Sequence, residues 1–412
     1  MGERPWLFNS LMTQNLAFTE KTLEKISEKE GDFLAKLRKE NFATYEKLQM
    51  PTAKEEEWRY TDLSSLKISD FSLTEKQHRF QQAIPKNKEI IFMPLLVAVK
   101  EHEDLVKKYL FKTYNSFILS DKLAALQGTF WQEGIFFYVP KNVTVDEPVS
   151  LTSFVTDDGK LIANHNLIVL EPNASARFYE DMGSDDGRNL FVEGTEVVLQ
   201  EGAKLDYYTF QDYNAASFSL SYKLGDLQKD SALNWNLALF GGKIGKARVD
   251  TAFNGQNSQS EFQGIYFGQK EQHLAIITNS YHNTPHTTNK IVTKGVLKDK
   301  ASSFSRGLAR IEKSAPKTDS YIEDHVIHLS GEAKSNSIPS LEIINNDVKA
   351  AHAASSGEVD EGQMFYLMSR GLNRNEAEML IVEGFFEPIL KKIKIGQMQA
   401  KSRWVVEKRV RG

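Results

Sequence analysis

Three stretches of this sequence repeat one pattern: LEPNASARF (residues 170–178), LQEGAKLDY (199–207) and LQKDSALNW (227–235). Each begins with leucine, continues through a polar turn, and has a small residue four positions after the leucine and an aromatic residue four positions later. Their starts are 29 and 28 residues apart. This period, with short strands and tight turns, is typical of a β-solenoid, whose coils bury their apolar faces by stacking on one another.

Two further stretches, LKDKASSFS (297–305) and LSGEAKSNS (329–337), keep the leucine and the alanine but lose the final aromatic residue. All five lie between about 150 and 358, where β-branched and aromatic residues alternate with polar ones and turn residues interrupt every few positions. A β-sandwich is the alternative, although its turns recur roughly every 8 to 12 residues. We therefore expect a mainly β fold with a solenoid core.

Helical patterns precede this region. Residues 11–50 carry apolar groups at helical spacing, divided at Gly31 and Asp32, with Asp32 as the expected N-cap of the second helix and Pro51 as a stop. Residues 90–150 are mixed, because strand-like IIFMPLLVAV (90–99) and GIFFYVP (134–140) surround a helical segment near 115–126.

Helices return after residue 358. The first is expected to have Asp360 and Glu361 in its first turn and to end at Gly371, and the second to start at Asn373 or Asn375. The apolar face expected for the second helix consists of Ala377, Leu380, Ile381, Phe385 and Ile389. The expected parts are an N-terminal helical region (1–90), a β-helix core with a mixed entry segment (91–355) and a C-terminal helical module (356–412).

Composition excludes several classes of function. The 412 residues include no cysteine, which removes disulfides, thiol nucleophiles and thiolate metal ligands. The 51 basic and 55 acidic residues are interspersed, so neither nucleic acid nor an anionic membrane is expected as a partner. The first 18 residues have no signal-peptide pattern and no stretch reaches the length of a membrane span, so a cytoplasmic protein is expected.

Several motifs with possible chemistry have a structural interpretation that is stronger. GGKIGKA (241–247) is one residue too short for a phosphate loop and has Ala247 where the magnesium-binding hydroxyl belongs, so a hairpin turn is favoured. The acidic pair Asp185 and Asp186 fits a β-helical carbohydrate-active enzyme, but nothing distinguishes it from ordinary turn residues. EEEWRYT (55–61) combines aromatic residues with an arginine, which favours a joint between structural parts over a ligand site.

The histidines suggest a metal site. His282, His286, His325 and His328 are the candidates for a zinc-like cluster. Pro285 argues against a helix that would align the first two, and an odd separation in a strand points the last two to opposite faces. A polar interior position or hydrogen bonding between coils is therefore the favoured interpretation.

His352 differs from these, because VKAAHAASSG (348–357) surrounds it with small residues that leave the imidazole sterically free. A neutral imidazole is a competent iron ligand, whereas a cluster normally needs three or four ligands, mostly thiolates. A simple polar contact at the end of a strand is the alternative.

Four segments together resemble the SufB/SufD family of iron-sulfur cluster assembly proteins: PTAKEEEWRYTDLSSL (51–66), WQEGIFFYVPKNVTVDEPV (131–149), SYHNTPHTTNKIVTKGVLKDKASSFSRG (280–307) and VKAAHAASSGEVDEGQMFYLMSRGLNRNEAEMLIVEGFFEP (348–388). The similarity runs from about residue 50 through most of the chain. Within the family, the chain is more similar to SufD than to SufB, since SufB-type chains are expected to provide thiolates.

This resemblance implies a right-handed parallel β-helix flanked by helical regions. It also implies a non-enzymatic scaffold that pairs with SufB through the β-helices and docks the SufC ATPase through its C-terminal helices. The docking residues implied are Met364, Phe365, Met368, Ser369, Arg370, Gly371 and Leu372.

By the same resemblance, His352 matches the family histidine at the interface with SufB, and Ala350 stands where the family often has cysteine. The implied site is shared: a transient iron-sulfur cluster forms in the complex, and this chain alone holds no cofactor stably. Three alternatives remain open, namely a SufB-like homodimeric scaffold, a β-helical carbohydrate-active enzyme, and a helix corner that only caps the solenoid. A homodimer of the isolated chain is also compatible with the sequence.

Overall fold

The computed structural model describes residues 18–28, 30–74, 79–83 and 89–412. The expectations that concern the first 17 residues, including the start of the predicted helical region, lie outside this part of the chain. The helices are α1 (Glu20–Ser27), α2 (Asp32–Lys47), α3 (Leu95–Glu101), α4 (Glu103–Tyr109), α5 (Asn115–Ser120), α6 (Lys122–Phe130), α7 (Glu361–Ser369), α8 (Arg374–Leu390) and α9 (Gly396–Arg411).

The strands are β1 (Ser72–Leu73), β2 (Arg79–Ala83), β3 (Ile91–Pro94), β4 (Ile135–Val139), β5 (Val149–Val155), β6 (Lys160–Leu170), β7 (Ser175–Ser184), β8 (Leu190–Leu199), β9 (Lys204–Asp212), β10 (Phe218–Leu227), β11 (Ala232–Leu239), β12 (Ile244–Phe253), β13 (Gln259–Gly268), β14 (His273–His282), β15 (Thr288–Leu297), β16 (Ser302–Ile311), β17 (Asp319–His328), β18 (Lys334–Ile343) and β19 (Lys349–Glu358).

From β4 onward the chain alternates between two sheets. The even-numbered strands β4 to β18 lie in a ten-stranded sheet, here called sheet 1, and the odd-numbered strands β5 to β19 lie in a nine-stranded sheet, sheet 2. Each strand from β6 to β19 pairs in parallel with the strand two earlier, so the described chain forms eight coils of a parallel β-solenoid. The predicted solenoid core is thereby confirmed.

The aromatic residues of the repeat stack in register inside the solenoid. Phe178 pairs with Tyr207, and Tyr207 with Trp235, and the ring centroids are 5.3 and 5.0 Å apart. The small residues Ala174 and Ala203 are fully buried at the turns from sheet 1 to sheet 2. The repeat therefore marks one edge of the solenoid and the first apolar layer behind it.

Two interpretations of turns were wrong in detail. The matches that begin at Leu297 and Leu329 lie on the opposite edge, where the chain passes from sheet 2 to sheet 1. They share the alanine because both edges of the solenoid need a small buried residue at the turn. On this second edge the residues are Ala301 and Ala333. GGKIGKA is also a turn of this second kind, with Gly242 at φ +96°, and connects β11 to β12 in different sheets instead of forming a hairpin.

In the entry segment, the helix near 115–126 and the strand in GIFFYVP are confirmed as α5, α6 and β4. The run IIFMPLLVAV is a strand only as far as Pro94, after which Leu95 begins α3 and buries Leu95, Ala98 and Val99. Periodicity does not distinguish a short apolar strand from a buried helix. In the N-terminal region, Asp32 is the first residue of α2, and Gly31 is the N-cap.

The C-terminal helices begin and end largely as predicted. The Asp360 side chain caps α7, Gly371 follows it at φ +100°, and Asn373 forms a capping box with Glu376 at the start of α8. The predicted apolar face is partly wrong, because Leu380 is 49% exposed. The fully buried residues of α8 are Ala377, Val382, Phe386, Ile389 and Leu390. The third helix, α9, was not predicted.

Helices cover both outer faces of the middle coils. The N-terminal helices pack on the outer face of sheet 1, in a cluster that includes Phe218, Leu220 and Tyr222. Helices α8 and α9 pack on the outer face of sheet 2, against Tyr208 and Phe210. The last coil, formed by β18 and β19, has only intermediate and exposed positions. The solenoid is thus covered in its middle and bare at its C-terminal end.

Candidate functional site

His352 lies on β19, in register with Ile322 of β17. Register pairs extend this column through every coil of sheet 2, and its members are Val149, Phe178, Tyr207, Trp235, Phe262, Ile291, Ile322 and His352. All the earlier members belong to the apolar interior. The imidazole therefore occupies a core position in a coil that has no further coil of the described chain stacked on it.

The surroundings of His352 are open. Its neighbours Ala351 and Ala354 are exposed, as is the histidine itself. Within the described residues the imidazole makes no hydrogen bond, ion pair or ring contact, and no group of three or more His, Asp and Glu side chains is placed to hold a metal. At this position the chain offers a single free imidazole on a narrow, small-residue strand.

The opposite face of the same strands carries a different histidine. His325 Nδ1 lies 2.5 Å from Ser355 Oγ, and His325 Nε2 lies 2.6 Å from Glu323 Oε1. Strand alternation puts these residues on the outer side of sheet 2, whereas His352 faces the inner side. His325 is thus tied into the outer face and is not adjacent to His352.

The other candidate histidines do not converge. His282 is fully buried, stacks on Phe253 with ring centroids 4.4 Å apart, and has its Nδ1 2.8 Å from Thr287 Oγ1. Burial lowers the pKa of His282 to about 3. His328 Nε2 lies 2.9 Å from Ser335 Oγ. A polar interior position is confirmed for His282 and hydrogen bonding between coils for His325, whereas His286 is exposed in the turn after β14 at φ +60°.

The remaining motifs occupy structural positions. Asp185 and Asp186 lie in the turn between β7 and β8. Trp58 is buried, donates from Nε1 to Asp121 at 3.1 Å, and has the Lys246 amine 3.1 Å from its ring centroid. Burial lowers the pKa of Lys246 to about 7. EEEWRYT is therefore a structural anchor between the N-terminal region and sheet 1, as predicted.

The corner between α7 and α8 presents the second candidate surface. Phe365 is 75% exposed and Met368 is also exposed, but Met364 is buried and can only support the surface from below. The Arg370 guanidinium lies 5.3 Å from the ring centroid of Tyr366. Among the other predicted residues, Ser369 donates to a backbone carbonyl and Gly371 and Leu372 form the corner.

Sequence reasoning missed two residues of this corner, Tyr366 and Leu380, which are exposed. Hollows of about 420 and 550 Å³ flank Leu380 on its two sides. The signal for Tyr366 was present, since it adjoins Phe365 in a short helix that cannot bury both. We call the exposed residues Phe365, Tyr366, Met368, Arg370 and Leu380 the corner surface.

Among the described residues, no helix is both long and apolar enough to cross a membrane.

Residues 153–385 match the family described as the SUF system FeS cluster assembly SufBD core domain, and residues 10–88 and 76–151 match the SufBD protein N-terminal region. The iron-sulfur cluster assembly protein SufD of Bacillus subtilis is 32% identical over 79% of this chain and 75% of its own length.

Iron-sulfur cluster assembly SufBD family proteins of Staphylococcus aureus and Staphylococcus saprophyticus are 28% identical to this chain. The aligned region covers 75% of this chain and 66% of each of those proteins. The family match, the sequence identity and the parallel β-solenoid all support the same family. The chain therefore belongs to the SufBD family of iron-sulfur cluster assembly proteins, and within that family it is of the SufD type.

Proposed function

We propose that this chain is a non-enzymatic, cytoplasmic scaffold subunit of a SufB–SufC–SufD complex. It pairs with SufB through the last coil of its solenoid and docks the SufC ATPase on its corner surface. The observation that carries this proposal is the position of His352, an unpartnered imidazole in the interior column of a coil that nothing in the described chain covers.

The ligand count argues for a shared site. An iron-sulfur cluster is normally held by three or four ligands, mostly thiolates, and this chain has no cysteine. His352 can therefore supply one ligand to a transient cluster whose other ligands come from the partner. A mixed and incomplete ligand set holds a cluster weakly, which suits a scaffold that must release its product.

The bare edge supports pairing with a homologous solenoid. Strands β18 and β19 are the last members of their sheets, so their outer backbone groups have no strand partner in the described chain. Such an edge is a template for a strand of another chain. The alanines around His352 let two backbones approach closely there. The same edge also fits a second copy of this chain, which is the homodimer alternative.

The corner surface has the composition of a docking site. Exposed aromatic residues, methionine and arginine are enriched at protein interfaces, and Phe365 is the most exposed of the large apolar residues in the described chain. Its residues come from two helices that a capping box and a C-terminal glycine hold in a fixed geometry. A rigid apolar corner of this kind suits the docking of a folded partner.

Co-purification tests this proposal. Phe365→Asp and Arg370→Glu are each expected to reduce retention of SufC on the tagged chain by about tenfold or more while SufB remains bound, because they remove interface contacts. Leu119→Asp is the matched control, since Leu119 is an exposed apolar residue on α5. Full retention of SufC by both corner variants would refute docking at the corner surface. Failure of the wild-type chain to bind SufB would refute pairing through the last coil.

A further inference from the structure

Asp324 is the buried carboxylate nearest in register to His352. It lies on β17, one strand before β19, and pairs with Ala354, whereas His352 pairs with Ile322. Asp324 and Ile322 are both buried, two residues apart, and therefore point to the same interior side. The carboxylate and the imidazole thus face the same space at the open end of the solenoid.

The contacts of Asp324 satisfy one carboxylate oxygen well and the other poorly. The Ser337 hydroxyl on β18 donates to Oδ2, which ties the carboxylate to the last strand of sheet 1. Oδ1 is buried and accepts no hydrogen bond of good geometry in the described chain. The Tyr266 hydroxyl bonds to Ser303 instead, and the Ser305 hydroxyl makes a hydrogen-bonding contact, weaker than that of Ser337, which favours the ionised carboxylate. Burial nevertheless raises the pKa of Asp324 to about 6.

A buried carboxylate with a poorly satisfied oxygen is costly unless a cation or donor satisfies it. The position of Asp324 on the penultimate coil is unusual for that reason, since an apolar residue there would extend the core. The neighbouring positions on the same side of β17, Ile322 and Val326, are apolar and buried. The structure therefore places a buried carboxylate with one poorly satisfied oxygen on the coil next to the one that carries His352.

The spacing allows both side chains to reach one ion. Strands in a sheet lie about 4.8 Å apart and residues rise about 3.3 Å each, so the Cα atoms of His352 and Asp324 are ~8 Å apart. Because the two side chains point to the same side, their ends can meet on one metal at bond lengths of about 2.0–2.2 Å.

We propose that Asp324 is a second metal-ligating residue and that Asp324 and His352 together bind one ferrous ion at the open end of the solenoid. This inference rests on the proposed function, because it concerns the same end of the molecule. An imidazole and a carboxylate are the ligand types of non-haem Fe(II) sites, and two such ligands leave coordination positions open. SufB thiolates and sulfide would then complete the coordination, so iron enters the shared site from this chain.

Titration of the purified full-length chain with Co(II) tests the proposal, because Co(II) follows Fe(II) in the order of affinities and gives visible absorption bands. The wild-type chain is expected to bind one Co(II). Asp324→Asn and His352→Ala are each expected to weaken binding by about tenfold or more, since even the loss of a group that only supports a ligand costs a metal site that much. Glu193→Gln is the matched control, since Glu193 is an interior carboxylate of β8, far from the open end.

The variants keep the test independent of folding. Asp324→Asn preserves shape and removes a desolvated charge, so its unfolding midpoint should equal or exceed that of the wild type. Asp324→Ser is a second variant that also lacks the carboxylate. Wild-type affinity of both Asp324 variants would overturn the proposal. Since the titration uses this chain alone, failure to bind SufB would count against the proposed function and leave the Co(II) result standing.

Discussion

Glu193 is a single buried residue whose ionisation should be measurable in the stability of the whole chain. The Tyr213 hydroxyl donates to Glu193 Oε1 at 2.5 Å. The charges of a buried ion pair also act on Glu193: Lys223 Nζ and Glu180 Oε2, which are 2.8 Å from each other. Burial raises the pKa of Glu193 to about 7, the Lys223 charge lowers it in part, and Glu180 adds to the rise. The folded state therefore holds a proton on Glu193 more tightly than the unfolded state does.

The sign of the effect follows from this raised pKa. Stability contributed by protonated Glu193 is fully present below about pH 4.5 and is lost as the pH rises toward 7. Glu193→Gln removes this loss, so at pH 8 it should be more stable than the wild type by on the order of 1–3 kcal/mol, with little difference at pH 4.5. Urea unfolding at both pH values measures this difference in the free energy of unfolding. If the stability of the two proteins changed with pH in parallel, the raised pKa of Glu193 would be contradicted.

His352 illustrates which residue-level features the sequence can predict. Small neighbours and the family motif singled out this histidine, but its place in the interior column depends on the register between β17 and β19. Register is a long-range property that no local pattern of VKAAHAASSG encodes. Asp324 was missed for the same reason, because its inward direction only matters once the last coil is known to be uncovered.

At the scale of elements, the interior ladder of Phe178, Tyr207 and Trp235 should contribute much of the stability. Trp235 is buried, contacts Tyr207 at 5.0 Å between ring centroids, and donates from Nε1 to Thr251 at 3.2 Å. Trp235→Ala should therefore destabilise the chain by about 3–5 kcal/mol through lost burial and a residual cavity.

Trp404→Ala is the control for this prediction. Trp404 lies on α9 and is 57% exposed, so its removal should change stability by only about 0.5 kcal/mol. The midpoint of urea unfolding, followed by circular dichroism, compares the two variants with the wild type. Equal midpoints for the Trp235 and Trp404 variants would mean that the ladder is not a major source of stability.

The elements that were predicted well have strong local signals. The capping residues of α7 and α8 and the 28- to 29-residue repeat are visible in the sequence and correct in the structure. Helix α9 was missed although Met398, Val405 and Val406 occur at helical spacing, because charged and polar residues interrupt the apolar pattern. The two edges of the solenoid could not be separated, since both require the same small residue at the turn.

At the scale of the whole molecule, the distribution of covering layers determines where partners can bind. Two sets of helices cover sheets 1 and 2 in the middle coils, and the last coil remains bare on the side where β18 and β19 end their sheets. The corner surface lies on α7 and α8, which follow β19 directly. The proposed SufB edge and the proposed SufC corner are therefore close in sequence, since only Val359 and Asp360 separate β19 from α7.

The most direct measurement compares iron-sulfur cluster formation in a complex reconstituted with SufB and SufC, using the wild-type chain, His352→Ala and His325→Ala. His325 is the matched control because it lies on the outer face of the same sheet, bonded to Ser355 and Glu323. With Fe(II) and sulfide supplied, His352→Ala should form the complex normally but yield about tenfold less cluster, as expected for loss of a ligand. His325→Ala should match the wild type. Normal cluster yield with His352→Ala would contradict the central claim.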